Sequence, residues 1–292
     1  MIIVKLMGGL GNQLFQYAFG KAMALKHGVQ LKVDVSGIGD HAGYTSRELE
    51  LAHFDKHITI ASEKELEPYQ KGKLSKIMDL ASLSVGLNSG SMYVREPHFH
   101  FSALAMKAPE DAYLDGYWQS EKYFAAVKNE LIALLTDGVS LSQKSAGLAD
   151  QMQKENSVAI HVRKGDYVSV KQNQEIYAAL DGAYYLAAIE YIKTHVKDPV
   201  FYIFSDEPDW FTKNIKANVP VVNVTDNRGS SSYQDLFLMS CCKHNIIANS
   251  SFSWWGAWLN KHPQKIVIAP EKWFNGPSKN AKDLIPENWI KL

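Results

Sequence analysis

Along most of the chain, short and almost wholly apolar runs alternate with segments of helical period. Residues 2–6 are apolar and β-branched, Gly8-Gly9-Leu10-Gly11 interrupts them, and Leu14, Phe15, Ala18, Ala22 and Leu25 then recur at helical spacing. Asn12 is placed to cap this helix and Gly28 to end it in the left-handed conformation, after which residues 31–35 resume an extended pattern. That is a β-α-β unit. Residues 37–109 show no clean period; a strand at 112–114 and a helix at 121–135 follow. The later alternation is regular, with strands at 158–160, 200–204, 219–224, 245–248 and 265–269 and helices at 184–195, 210–217, 233–242 and 253–259. Near-continuous apolar strands between helices predict a parallel, doubly wound α/β sheet whose ligands lie beyond the carboxyl ends of the strands. The polar stretch 140–145 predicts a boundary between two halves, 1–145 and 146–292.

Composition narrows the class. The 292 residues are 46% hydrophobic and 21% charged, proportions that fit a folded core and exclude a disordered or collagen-like chain. Lysine plus arginine equals aspartate plus glutamate at 31 each, so no global positive field holds a nucleic acid, and any anion site is local. The two cysteines, Cys241 and Cys242, are sequence neighbours and read as free thiols. No run approaches the ~18 apolar residues of a membrane span, and the amino terminus lacks a signal-peptide pattern; a cytoplasmic protein is expected.

Four strand ends carry polar residues: His161, Arg163 and Asp166; Ser205 and Asp206; Asp226 and Asn227; and Asn249, Ser250 and Ser251. Arg163 offers a planar, permanently charged fork suited to phosphate oxygens, and Asp166 either orients it or accepts a proton. An Arg163–Asp166 ion pair of purely structural meaning is the alternative. Asn249-Ser250-Ser251-Phe252-Ser253 lies between a strand and a helix, where hydroxyls and free amides suit a diphosphate; plain capping by Ser251 or Ser253 is the bland counterpart. Trp254, Trp255 and Trp258 paint one helical face and read as core. The Gly8–Gly11 loop, with Asp34 ending the next strand, superficially resembles a dinucleotide fingerprint, but Leu14 stands where its last glycine belongs. What remains is a loop of little bulk, Gly9 and Gly11, beside the amides of Asn12 and Gln13. His98 and His100 read as same-face neighbours on a strand rather than metal ligands, and no Asp-x-Asp pair exists to hold a divalent metal.

Three segments, Met7-Gly8-Gly9-Leu10-Gly11-Asn12-Gln13-Leu14-Phe15-Gln16-Tyr17, His161-Val162-Arg163-Lys164-Gly165-Asp166-Tyr167 and Asn249-Ser250-Ser251-Phe252-Ser253-Trp254-Trp255-Gly256, together resemble the α-1,2-fucosyltransferases of glycosyltransferase family 11. Gly116-Tyr117-Trp118-Gln119-Ser120 and Ile268-Ala269-Pro270 add to the likeness, which runs in order from residue 7 to residue 270. The resemblance implies a GT-B-like fold: two Rossmann-type halves with a nucleotide-sugar cleft between them, the first on the acceptor side and the second binding GDP-fucose. It implies inverting, metal-independent transfer of fucose to the 2-hydroxyl of a terminal β-galactoside, in an O-antigen or similar surface glycan. GDP-fucose is then a substrate and no cofactor is expected; a lipid-linked acceptor would bring peripheral membrane association. By the same resemblance Arg163 contacts the diphosphate, His161 the nucleotide, Ser251 the diphosphate and Phe252 the base, while Asp235 meets the guanine edge. Asp206, Asn249, Ser250, Gly9, Gly11 and Asn12 complete the expected donor site. Lys164 departs from the second arginine common in relatives. For the base that takes the acceptor proton, Asp166 leads and His41 and Asp34 remain open. The competing readings are an NAD(P)-dependent oxidoreductase, resting on the first β-α-β unit and Asp34, and a binding module without turnover.

Overall fold

The computed structural model describes residues 1–39, 48–69, 92–164, 178, 180–276 and 280–292. The chain divides into two units, Met1–Leu135 with Lys279–Pro286, and Thr136–Ser278 with Glu287–Leu292. The division therefore precedes the expected 145/146 boundary, which falls inside a helix. Ser142 caps that helix by accepting from the Ser145 amide, and Ser145, Ala149 and Met152 form its buried stripe. A narrow stripe leaves most of a helix polar, so in sequence this one looks like a linker.

The first unit contains β1 (Ile2–Met7), α1 (Leu10–His27), β2 (Leu31–Gly37), a short α2 (Glu63–Leu66), β3 (Met92–Arg95) and β4 (Ala112–Asp115), with α3 (Lys128–Thr136) at its end. Its four strands are parallel in the order β2-β1-β4-β3, so the chain reverses direction across the sheet between β1 and β4. Helix α1 ends as expected at Gly28, whose φ of 67° favours glycine, but it starts after Gly9 and not at Asn12. The helix expected at 121–135 is instead two 3-10 turns followed by α3, because Tyr123 and Phe124 turn inward onto Phe19 and Phe15.

The second unit runs α4 (Gln143–Lys154), β5 (Asn156–Val162), α5 (Gly182–His195), β6 (Pro199–Ser205), α6 (Pro208–Asn214), β7 (Val221–Val224), α7 (Tyr233–Cys241), β8 (His244–Ile246), α8 (Ser251–Leu259), β9 (Val267–Ala269) and β10 (Ile290–Lys291). All six strands are parallel in the order β10-β9-β8-β5-β6-β7, the Rossmann order, which changes direction between β5 and β8. Alternate residues of β5 feed two cores. Val158, Ile160 and Val162 pack under α5, and Ala159 packs with Met152 of α4 and Leu238 and Met239 of α7. His161 shares the face of Ala159. Burial on both faces explains why the strands read as unbroken apolar runs. Among the described residues no helix is long and apolar enough to cross a membrane.

Candidate active site

In the second unit the expected motifs meet at the switch point. The loop after β5 carries Arg163, and the turn after β8 leads into α8; the His161 and Phe252 rings stand 5.8 Å apart across this point. His161 is buried at the end of β5, its carbonyl takes the Tyr185 hydroxyl at 3.2 Å, and its Nδ1 has no hydrogen-bond partner among the described residues. Burial, and then the Arg163 charge, push its pKa down to about 3, so the ring is neutral. An imidazole left this way costs stability unless a ligand completes it.

Arg163 is held by Asp206 at the end of the neighbouring strand β6, at 3.1 Å, while the other oxygen of Asp206 accepts the Lys164 amide at 2.9 Å. Val162 pairs with Ser205 in register, so both loops leave the sheet side by side. Asp206, expected to touch ligand, thus takes the orienting role offered to Asp166; Asp166 itself lies outside the described residues, as does His41. The Lys164 ammonium sits 4.0 Å over the Trp210 ring and donates to the Leu180 carbonyl, tying this loop to the start of α5.

Helix α8 begins without a side-chain cap: Ser250 is extended and makes no capping bond, and the Ser253 hydroxyl bonds back to the carbonyls of Ser250 and Ala248. The plain-capping alternative therefore fails, and the first amides of α8, the positive end of its dipole, are left without a side-chain cap. Asn249 is not part of that surface. Its amide is buried and donates to the carbonyls of Ala178 and Trp273 at 2.7 and 3.1 Å, so it braces the turn. Trp254, Trp255 and Trp258 are buried core, with Trp254 against Trp289. Asp235, in the first turn of α7, accepts from the Asn227 side chain at 2.8 Å, and burial raises its pKa to about 7. It is poised between acid and carboxylate at neutral pH.

At the first sheet the candidate polar groups are met by other groups of the chain. Gly8 turns with φ of 72°, and the amide of Leu10, the first of α1, is met by the Glu50 carboxylate at 3.1 Å. An anion of the chain's own already stands at that helix terminus, which argues against Gly9 and Gly11 as donors to a diphosphate. Gln13 is buried and bonds to Gly8, Glu48 and Leu51, and Asn12 accepts from Gln119 at 2.7 Å, joining the first turn of α1 to the loop after β4. Asp34 is 4% exposed and accepts from the Ser36 amide and hydroxyl and the Tyr113 hydroxyl. It presents no free oxygen for a ribose, so the oxidoreductase reading loses its acidic residue. Tyr69, Tyr113 and Tyr93 stack in sequence and donate to Asp111, Asp34 and Asp115 respectively. His98 and His100 lie beyond β3 rather than on a strand, stacked 3.5 Å apart. Glu50 and Asp206 are the residues whose roles sequence reasoning missed: the first lies where no periodicity exists, and the second was visible but assigned to the ligand.

The model of Glycosyl transferase family 11 matches residues 1–292. An Escherichia coli alpha-1,2-colitosyltransferase is 32% identical over 295 residues, covering 100% of this chain and 99% of its own. The O-antigen biosynthesis glycosyltransferase WbnK of Escherichia coli is 31% identical over 305 residues, covering 98% and 99%. A variant of Arabidopsis thaliana FUT1 solved with GDP shares the fold, with a TM-score of 0.57 at 8% identity over 98% of this chain and 74% of its own. Two parallel Rossmann-type sheets in one chain make the fold GT-B-like, as expected. With a family match over its whole length and the motif residues gathered at one switch point, the chain belongs to glycosyl transferase family 11.

Proposed function

We propose that the protein transfers fucose from GDP-fucose to the 2-hydroxyl of a terminal β-galactoside, with inversion at the anomeric carbon. The observation that carries this reading is the convergence at the second sheet of a partly exposed guanidinium, the uncapped amino terminus of α8 and the unpaired nitrogen of buried His161. In the transfer, the acceptor oxygen forms a bond to the anomeric carbon while the bond to the phosphate oxygen breaks, and its electron pair leaves with GDP. Arg163 and the amides at Ser251 meet the charge that develops there, a kind of preorganised donor worth roughly 2.7–4 kcal/mol each. Phe252 lies along the base and Asp235, once ionised, accepts from the guanine edge. Asp166 takes the proton of the 2-hydroxyl. No metal is required, since arginine and amides supply the neutralising charge.

The name of one Escherichia coli relative, an O-antigen biosynthesis glycosyltransferase, supports a bacterial surface glycan as acceptor; we propose that it is built on the cytoplasmic side, on a lipid-linked oligosaccharide at the membrane surface. The colitosyltransferase relative favours a second donor reading, a colitosyl group on the same nucleotide. Incubation of the protein with GDP-fucose or the colitosyl donor and a panel of galactosides, with product mass and linkage analysis, tests both. An α-1,2-linked product from one donor decides between them, and GDP binding without any product leaves a binding module. In an active preparation, Asp166→Asn should lose turnover while GDP affinity persists; equal loss of both would assign Asp166 to orienting Arg163 instead.

A further inference from the structure

Beyond the donor site, one loop of the first unit is held more firmly than its fold requires. Strand β3 runs parallel to β4 with Arg95 beside Asp115, and the Glu96 amide extends the pairing by donating to the Asp115 carbonyl at 2.8 Å. The Glu96 carboxylate then accepts two successive amides of the loop after β4, Tyr117 at 2.8 Å and Trp118 at 3.0 Å. Gly116 is obligatory here, because a Cβ would stand 2.4 Å from the Glu96 Cβ and 2.9 Å from the Trp118 ring. Trp118 adopts φ of 56°, a left-handed conformation that bulky residues avoid, and its fully buried indole N–H has no hydrogen-bond partner among the described residues. Gln119 is locked onto Asn12 in the first turn of α1.

The consequence of all this constraint is a single side chain. Gly116, Trp118, Gln119 and Ser120 are buried, whereas Tyr117 between them is 38% exposed. It is the only aromatic among the exposed large hydrophobic residues described, and it stands at the switch point of the first sheet, where β1 and β4 diverge. Around it the carboxylates are already engaged, Asp115 by the Tyr93 hydroxyl with Arg95 alongside and Glu96 by the two loop amides, so what the strand end offers a ligand is the Tyr117 ring itself, which suits a neutral, hydroxyl-bearing ring with one apolar face. A phenol offers that ring a flat surface with a polar tip at small entropic cost.

We infer that Tyr117 is an acceptor-binding residue that packs against the neutral sugar receiving the transferred group, and that Glu96 is the positioning residue that presents it. This rests on the transferase reading above, and the test separates the two. In the full-length chain, GDP affinity by calorimetry and acceptor-independent hydrolysis of the sugar nucleotide report the donor site, while acceptor KM reports Tyr117. Tyr117→Ala should raise acceptor KM about tenfold or more with donor KM, GDP affinity and hydrolysis unchanged. Tyr117→Phe should restore acceptor KM to within about threefold, since the flat face remains. Glu96→Gln accepts at only one of the two amides and should raise acceptor KM by an intermediate factor with kcat retained. An unchanged acceptor KM in Tyr117→Ala, or a parallel loss of GDP affinity, overturns the inference; a wild-type protein that binds no GDP overturns the transferase reading itself.

Discussion

The carboxyl ends of the two sheets answer the same topological question in opposite ways. In the first unit nearly every polar group at the strand ends meets another group of the chain: Glu50 on the Leu10 amide, Gln13 on three backbone groups, Glu96 on Tyr117 and Trp118, and carboxylates on tyrosine hydroxyls. In the second, positive and donating groups gather at the strand ends. Arg163 is partly exposed beside Asp206, α8 starts without a side-chain cap, and the buried His161 Nδ1 has no partner among the described residues. An end whose polar groups are met from within the chain is rigid and suits neutral ligands, and an end that presents a guanidinium and an uncapped helix terminus suits a diphosphate. Two similar folds have thereby been given different chemistry by loop residues alone.

The strongest way to break this comparison is to remove the charge on which the second end depends. Arg163→Ala should lower kcat by about 10²- to 10³-fold with an unchanged melting temperature, measured in a steady-state assay alongside a thermal melt. The ion pair with Asp206 is partly exposed, so its loss should barely register in stability. Near-normal turnover in that variant would mean that the diphosphate is met elsewhere.

A middle-sized effect sharpens the same contrast through pH. Asp235 in the free protein has its pKa raised to about 7 by burial, so below that pH it holds a proton and cannot accept from guanine. GDP affinity should fall about tenfold per pH unit below about pH 7, and Asp235→Asn should bind roughly 10- to 100-fold more weakly at pH 8 and lose this dependence. Stability moves the opposite way. Because the folded pKa lies above the unfolded value, the wild type loses stability as pH rises from about 4 to about 7. Asp235→Asn should therefore melt higher than wild type at pH 8, with the gap closing toward pH 4. Calorimetry and thermal melts over that range check both signs.

How much of this was legible in the sequence follows from which forces act locally. The strands and helices of the second unit were readable because burial on both faces leaves unbroken apolar runs, and His161, Arg163 and Ser251 were then found by asking what stands at strand ends. Helix α4 was not, since its buried stripe of Ser145, Ala149 and Met152 is narrow and includes a serine. The locks of the first unit were invisible for a different reason. Glu50 and Glu96 act across 40 and 21–22 residues, from a segment whose composition carries no period, and only the assembled sheet brings them to Leu10 and Tyr117. The pKa of Asp235 is likewise a property of its burial and not of its neighbours in sequence.

The smallest expected effect probes the saturated end. Asp34 stood open as a base while it was known only as a polar residue near the close of an expected strand; in the structure it lies in the middle of β2. Assembled, its two oxygens accept from the Ser36 amide at 2.8 Å, the Ser36 hydroxyl at 3.0 Å and the Tyr113 hydroxyl at 2.5 Å. Burial, and then the bond to Asp34, hold the Tyr113 hydroxyl far above its ordinary pKa, so it remains a donor at any working pH. A carboxylate so engaged has no oxygen ready to take a proton from an acceptor hydroxyl. Asp34→Asn turns one acceptor into a donor among these groups and should lower stability by about 1–3 kcal/mol. Turnover per folded molecule should stay within about threefold of wild type, a loss too small for a general base, whose removal typically costs about 10²- to 10⁴-fold. A collapse of turnover at an unchanged melting temperature would instead make Asp34 the base and place reactive chemistry at the first sheet.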